Sequence, residues 1–148
     1  MNRLNKFLRL AARDQRLLAS AWLYLLATRI ALTVISFRAL LSWSAKLAPP
    51  AASQTRVELS STPERISWAV RTASRYAPRG GNCLVQAIAA QVMLAHNGHS
   101  ACVRIGAAKQ DDIHFKAHAW VEYEGRIMIG GPSVSEFSPF PPFEAQRR

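Results

Sequence analysis

The segment 83–95, CLVQAIAAQVMLA, is apolar on almost every side, and this feature limits how the chain can fold more than any other. A helix with one apolar stripe needs one packing partner, whereas a helix that is apolar all round must be enclosed by the rest of the protein. Asn97 and Gly98 follow it, and this pair suits a left-handed helix end. The pattern therefore predicts a central core helix with other elements packed around it.

Helical regions are also predicted before this central helix. Thr62 supplies a capping oxygen in front of Pro63, and apolar residues recur at helical spacing as far as about Tyr76. Earlier in the chain, the leucine-rich and alanine-rich region that ends near residue 45 predicts helix, with a break around Phe37 and Arg38.

Short strands are predicted after the central helix. Residues 101–106 and 118–123 have the alternation of strands, with a polar turn at 109–112 between them. Glu124 and Gly125 form a two-residue turn into a third strand, Arg126–Ile129, which makes a β-hairpin. We therefore predict an α+β fold in which the helix that begins with the cysteine packs on a small antiparallel sheet, preceded by an N-terminal helical segment.

The composition divides the chain into four parts. Residues 1–48 form the N-terminal helical segment, and residues 49–61, with two prolines and several serines and threonines, form a linker. Residues 62–131 contain the core of the domain. Residues 132–148 are rich in proline and have no period, so they predict an extended tail that docks through its phenylalanines, Phe137, Phe140 and Phe143.

The charge of the chain is strongly positive. Its 19 Lys and Arg residues against 9 Asp and Glu residues give a net charge of +10 and a pI near 10.8, which favours an anionic partner such as nucleic acid, a membrane surface or an acidic peptide. The basic residues are scattered, with few aromatic residues between them, so nucleic acid is not expected. Two cysteines, Cys83 and Cys102, are too few for a disulfide scaffold and indicate the reducing cytoplasm.

The N-terminal segment combines basic residues with a long apolar run. The run 17–37 is interrupted by Arg29 and is followed by no small-residue cleavage site, whereas a membrane span needs about 20 apolar residues. We interpret it as one or two helices that cover the core or bind a partner protein, and a peripheral membrane association stays open. Neither the predicted core nor the chemistry requires this segment, so we expect it to bind something.

Cys83 stands at the start of the central helix, directly after Gly80, Gly81 and Asn82. Backbone N–H groups and the dipole at a helix N-terminus stabilise a thiolate, which is the nucleophilic form of cysteine. The glycines allow a substrate to approach the backbone, and the Cys83 N–H is placed to hold an oxyanion, with Asn82 as a second donor. The alternative is a small buried hydrophobic residue, the role we assign to Cys102.

A nucleophilic thiol needs a general base. Of the four histidines, His96 and His99 belong to a surface turn and His114 to the polar approach to a strand, whereas His118 begins that strand. His118 is therefore the predicted base, in a Cys–His pair assembled by the fold. A zinc site from the two cysteines, His114 and His118 is an alternative, but the close ligand pairs of structural zinc sites are absent, so no metal is expected.

Two motifs in the sequence resemble a known family. CLVQAIAAQVML, residues 83–94, followed by HAWVEYEGRIMIGG, residues 118–131, is similar to the signature of the transglutaminase-like cysteine proteases that remove leader peptides in lasso-peptide biosynthesis. The resemblance extends to FLRLAARDQRLL, residues 7–18, and to SWAVRTASRYAP, residues 67–78. It covers nearly the whole chain except the tail.

The resemblance implies a papain-like core with Cys83 as nucleophile and His118 as base, and the activity of a leader peptidase. The implied substrate is a ribosomally made precursor peptide, no cofactor is expected, and a separate ATP-using lasso cyclase acts on the released core peptide. The predicted elements leave no room for a leader-binding domain. We therefore expect a separate leader-binding protein as partner, in contact with the N-terminal segment. The opposing hypothesis is a catalytically idle relative that binds a peptide or partner protein in the same groove.

The chain departs from the family pattern at one position. The family commonly has an Asp about twelve residues after the histidine, where this chain has Gly130. Glu122 is a poor substitute, because four residues along the strand separate it from His118 by roughly 13 Å. The hairpin register would place His118 opposite Gly131, which has no side chain either. We predict instead that a backbone carbonyl, a water or a side chain elsewhere orients the ring, the candidates for that side chain being Asp111, Asp112 and Ser133.

Overall fold

The structure, a computed structural model, describes residues 10–46, 61–77, 82–109 and 114–141. Four α-helices come first in these ranges: α1 (Ala12–Val34), α2 (Phe37–Lys46), α3 (Pro63–Ser74) and α4 (Cys83–His96). Four strands follow, with a short 3-10 helix, Pro132–Glu136, before the last: β1 (Cys102–Lys109), β2 (Phe115–Tyr123), β3 (Arg126–Ile129) and β4 (Ser138–Pro139). The predicted α+β fold, a cysteine-bearing helix on a small antiparallel sheet after N-terminal helices, is confirmed.

Helix α4 is the centre of the core, as its apolar sequence predicts. It contacts α1 and α3 as well as β2, and Ile88, Met93 and Leu94 are almost completely buried. Burial of each such side chain stabilises the fold by about 1.5–3 kcal/mol. The helix ends at His96, and Gly98 just beyond it adopts the predicted left-handed backbone, with a φ of 82°.

Helix α3 begins where the sequence predicts. The Thr62 side chain accepts a hydrogen bond from the backbone N–H of Arg65 at 3.4 Å, and Pro63 occupies the first turn, where its missing N–H costs nothing. The apolar residues at helical spacing, Ile66, Ala69, Val70 and Ala73, are all buried. This face of α3 lies in the same apolar cluster as α4.

Helix α1 belongs to that cluster too. Four of its apolar side chains pack with residues of α3 and α4: Leu17, Leu18, Ala21 and Leu25. Asp14 also forms an ion pair with Arg65 of α3, but a partly exposed pair contributes at most about 1 kcal/mol, so the apolar contacts dominate. The expectation that the core does not require the N-terminal segment is therefore wrong for its described part, residues 10–46.

The other predicted features of the chain are the helix break, the linker and the C-terminal tail. The helix break lies at Ile35 and Ser36, two residues before the predicted position, whereas all of the predicted linker except Ser61 lies outside the described residues. The beginning of the tail folds into the 3-10 helix and β4, which pairs with β1. Phe137 is buried as docking requires, Phe140 is exposed, and Phe143 lies outside the described residues.

The strands form one antiparallel sheet in the order β3-β2-β1-β4. Strand β1 continues past residue 106, its predicted end, to Lys109. The hairpin turn is confirmed, with Tyr123 paired to Arg126, but a register shift after Val121 pairs that residue with Ile129. Because this bulge adds one residue to β3, the prediction that His118 lies opposite Gly131 is wrong.

The two faces of the sheet have different neighbours. Successive residues of a strand point to opposite faces, and Ala119 and Val121 of β2 lie in the cluster with the helices. Trp120, between them in sequence, packs with Val134 and Phe137 in a second apolar cluster. The helices therefore cover one face, and the C-terminal segment from Pro132 to Pro139 covers part of the other.

Two leucines of α1 test whether this helix is part of the core. Leu25 is 3% exposed and Leu23 is 60% exposed. We expect Leu25→Ala to lower the free energy of unfolding by about 2–5 kcal/mol, because it removes buried methyl groups and leaves a cavity. Leu23→Ala should change it by no more than about 0.5 kcal/mol. Urea denaturation followed by circular dichroism measures both, and equal small losses would show that α1 contributes little to the core.

Candidate active site

Cys83 is the first residue of α4 and is half-buried. Its Sγ lies 3.7 Å from Oδ1 of Asn82, and the same Oδ1 accepts the backbone N–H of Leu84 at 3.1 Å. Asn82 is thus the N-cap of α4, and its oxygen orients the thiol at the same time. The role of Asn82 as an oxyanion donor stays a prediction, for which its amide nitrogen is the relevant group. Gly80 and Gly81 lie outside the described residues.

The His118 ring is held by a backbone carbonyl. Its Nε2 lies 2.8 Å from the carbonyl oxygen of Gly130. Because a carbonyl oxygen only accepts hydrogen bonds, Nε2 carries the proton, and Nδ1 of the neutral ring is left as an acceptor. Among the predicted ways of orienting the ring, the structure thus shows the backbone carbonyl, and it comes from the residue twelve positions after the histidine. Asp111, Asp112 and the Ser133 side chain lie outside the described residues.

Gly130 has no room for a side chain. Its φ is 133°, a backbone conformation that residues with a side chain rarely adopt, and an added Cβ would overlap Cβ of Trp120 and lie 3.1 Å from Val134. An Asp at this position would need both the backbone and Trp120 to move. The missing acid is therefore a consequence of local packing, since the chain turns sharply here and presents its carbonyl to His118.

Two aromatic side chains lie near the imidazole. The ring of Phe137 lies 5.0 Å from the His118 ring, centroid to centroid, and that of Trp120 lies 6.4 Å away. Gly106 pairs with His118 across β1 and β2, and a Cβ there would come within 2.9 Å of the Trp120 indole. Trp120 fills the second cluster. The contact between Phe137 and His118 was not predicted, because the sequence indicated only that the tail docks.

A polar network extends the same face of the sheet. Nε1 of Trp120 donates to Glu122 at 2.8 Å, and the other carboxylate oxygen of Glu122 accepts from Arg104 at 3.3 Å. The Glu122 carboxylate is therefore engaged by Trp120 and Arg104, away from the imidazole. This arrangement fixes the indole, and the indole in turn limits the positions open to the His118 ring.

The thiol and the imidazole have separate partners. Cys83 packs against the cluster on the helical side of the sheet, whereas His118 shares the face of Trp120. Among the described residues, no hydrogen bond joins the two side chains; Cys83 bonds to Asn82, and His118 bonds to Gly130. The structure therefore brings the two elements together, since α4 packs on β2, and leaves the pairing of the two reactive groups a prediction.

The remaining cysteine and histidines lie elsewhere. Cys102, expected to be buried, is exposed at the start of β1, beside a cavity of about 350 Å³ that Gln91 and Glu122 also line. Partial burial, and then the Glu122 carboxylate, raise the pKa of the Cys102 thiol. His96 and His99 contact Tyr24 and the Ser61 carbonyl, respectively. In the described ranges, no group of three or more His, Cys, Asp or Glu residues is arranged to hold a metal ion.

Substitutions at the two adjacent glycines test why the acid is missing. We expect Gly130→Asp and Gly130→Ala to destabilise the protein by about 2 kcal/mol or more, because each combines backbone strain with overlap at Trp120. Gly131→Ala is the matched control, because Gly131 also has a positive φ but an added Cβ there would have no atom within 4 Å. This substitution should cost only the backbone strain, about 1 kcal/mol. Chemical denaturation measures all three. A Gly130→Asp variant as stable as the original protein would contradict this account.

The sequence was compared with known proteins. Residues 22–141, which include Cys83, His118 and Gly130, match the family described as the transglutaminase-like superfamily. The match begins within α1 and ends beyond β4, so it includes part of the N-terminal helices and part of the tail. Searches of curated proteins and of solved structures gave no match. Because the family match spans most of the chain and the fold agrees with it, this protein belongs to the transglutaminase-like superfamily.

Proposed function

We propose that this protein is a cysteine endopeptidase that removes the leader peptide from a ribosomally made lasso-peptide precursor. The observation that carries the proposal is the hydrogen bond from Nε2–H of His118 to the carbonyl oxygen of Gly130. This bond leaves Nδ1 as the basic nitrogen of the ring. Superfamily membership supports it, since this fold often carries cysteine protease or transferase chemistry. The resemblance of residues 83–94 and 118–131 to the leader peptidases favours a protease that acts on a precursor peptide.

In the proposed reaction, His118 Nδ1 accepts the proton of the Cys83 thiol as Sγ attacks the scissile carbonyl carbon. The N–H groups at the start of α4 hold the developing oxyanion, with the Asn82 amide as a further donor. The carbon–nitrogen bond then breaks, and His118 gives its proton to the leaving amine. Water, deprotonated by the same ring, hydrolyses the thioester and releases the leader as a free acid.

The carbonyl of Gly130 substitutes for the carboxylate of a triad in this scheme. It accepts the Nε2–H and fixes the tautomer, as an Asp or Asn would, but it adds no negative charge next to the imidazolium. Without that charge, the ion pair between the Cys83 thiolate and the His118 imidazolium is less stabilised, whereas the orientation of the ring is kept. Since the orienting residue is the triad member whose removal costs least, a Cys–His dyad remains competent.

The reaction requires Sγ and Nδ1 to come within hydrogen-bond reach. In the structure each has another neighbour, Asn82 for the thiol and Phe137 beside the imidazole. The proposal therefore includes a rearrangement on substrate binding, in which the thiol leaves Asn82 and the ring turns about its bond to Gly130. Such hydrogen bonds are often long or absent until a substrate is bound.

A separate leader-binding protein is the partner that the proposal requires. It would hold the leader and raise the effective concentration of the scissile bond near Cys83. A lasso cyclase would then use the released core peptide. Neither partner needs the inner face of α1, since that face packs in the core.

Cleavage of a precursor peptide tests the proposal. We expect Cys83→Ala and His118→Ala each to lower the rate of leader removal by at least about 1,000-fold, because the nucleophile and the base act as a unit. Cys102→Ser and His114→Ala are the controls for thiol and imidazole, and both should retain cleavage. Mass spectrometry of the products, with the leader-binding protein present, measures the rates. Cleavage by purified Cys83→Ala would refute the assignment.

A second candidate is a catalytically idle module that binds a peptide or partner protein. The hydrogen bonds of the two groups favour it, since within the described residues Cys83 bonds to Asn82, His118 bonds to Gly130, and no hydrogen bond joins them. The absence of an acid side chain at Gly130 favours it as well. The reactivity of the thiol separates the two candidates.

Alkylation of the two cysteines makes this comparison within one molecule. Cys102 has a raised pKa, so at neutral pH less of it is thiolate, and its reaction should speed up only at higher pH. A protease requires Cys83, at the N-terminus of α4, to be the more reactive thiol. We therefore expect iodoacetamide to modify Cys83 first, measured by peptide mass spectrometry with Cys83→Ser and Cys102→Ser as references. Slower modification of Cys83 than of Cys102 would favour the idle module.

A further inference from the structure

Helix α1 presents an apolar stripe on the side opposite the core. Leu23, Ile30 and Val34 follow one another at helical spacing and are 60%, 56% and 80% exposed. Ala19 and Ala27 extend the same face, so that no polar side chain interrupts it from residue 19 to residue 34. This stripe is about 22 Å long at 1.5 Å per residue. An exposed apolar surface of this length indicates a binding face.

Exposed tryptophans and cations accompany the stripe on α1 and α2. Trp22 lies beside it on α1, and Trp43 of α2 is also exposed. Together α1 and α2 carry five cationic side chains and one carboxylate, Asp14, which is already paired with Arg65 of α3. The cations are Arg13, Arg16, Arg29, Arg38 and Lys46. The net charge of α1 and α2 is therefore positive, like that of the whole chain.

We propose that this face of α1 and α2 binds the surface of an anionic lipid membrane, with α1 lying in the plane of the interface. The stripe would enter the boundary between headgroups and acyl chains, the tryptophans would lie at headgroup level, and the cations would contact lipid phosphates. From residue 19 to residue 34 the stripe itself has no polar side chain by which a particular protein would be recognised, and the positive charge of α1 and α2 complements anionic headgroups. This inference does not depend on the proposed enzymatic function.

The orientation follows from the inner face of the same helix. An 18-residue window of α1 has a mean hydropathy of 1.7, enough by length and composition to cross a membrane. However, Leu18, Ala21 and Leu25 pack against α3 and α4, and withdrawing them into a bilayer would expose the core. The helix therefore stays with its domain and lies on the membrane surface, with only its outer side in lipid.

Sedimentation of the full chain with vesicles tests the proposal. We expect binding to vesicles that contain phosphatidylglycerol, weaker binding to phosphatidylcholine alone, and release as salt rises from about 0.1 M to about 1 M, because the Debye length falls from about 10 Å to about 3 Å. The double variant Leu23→Glu with Ile30→Glu should bind at least about tenfold more weakly. Ile127→Glu, at an exposed position of β3, is the matched control and should bind like the original protein.

Tryptophan fluorescence gives a second readout that requires no change to the stripe. Lipids brominated in the acyl chain should quench the fluorescence of the original protein. Trp22→Phe with Trp43→Phe should remove most of that quenching, since Trp120 is buried and the partly exposed Trp68 lies on α3, outside the proposed face. Failure to bind anionic vesicles, or equal binding by the double Glu variant, would overturn the proposal. The proposal would also be overturned if the original protein formed a dimer and did not bind vesicles, and if the double Glu variant were a monomer. That result would assign the face to a second copy of the chain.

Discussion

The enclosure of α4 is the constraint on which the rest of the fold depends. Because this helix is apolar on nearly all sides, every neighbouring element must give it an apolar face: α1 and α3 from one direction and β2 from another. The ion pair between Asp14 and Arg65 adds little by comparison. The same enclosure fixes the N-terminus of α4, and with it Cys83, at the border of the core, where a thiol is partly accessible.

Strand alternation then decides the environment of the second reactive group. With Ala119 and Val121 committed to the helical core, His118 and Trp120 must point to the other face. There the chain after β3 turns sharply at Gly130, its carbonyl meets the imidazole, and Phe137 packs beside the ring. Cys83 thus packs with the helical cluster and His118 lies beside Trp120 and Phe137, and the proposed reaction requires a contact between them.

The local patterns predicted most of the fold. The cap at Thr62, the stop at Gly98 and the hairpin turn at Glu124 and Gly125 are each set by a few neighbouring residues, and all of them appear as expected. Predictions that needed knowledge of distant contacts were less accurate. Strand β4, in a proline-rich tail, was missed because pairing with β1 supplies the order that its own sequence lacks.

The sequence by itself determined that α4 is central, that Cys83 begins it and that His118 lies on a strand beside it, because helix ends and apolar periodicity are encoded by adjacent residues. It also showed that no acid stands twelve residues after the histidine. Only the tertiary structure decided what replaces that acid, since the bulge in β3 and the packing of Gly130 on Trp120 bring a backbone carbonyl to the ring. It likewise decided that α1 belongs to the core, because burial there comes from side chains of α3 and α4 that are far away in sequence.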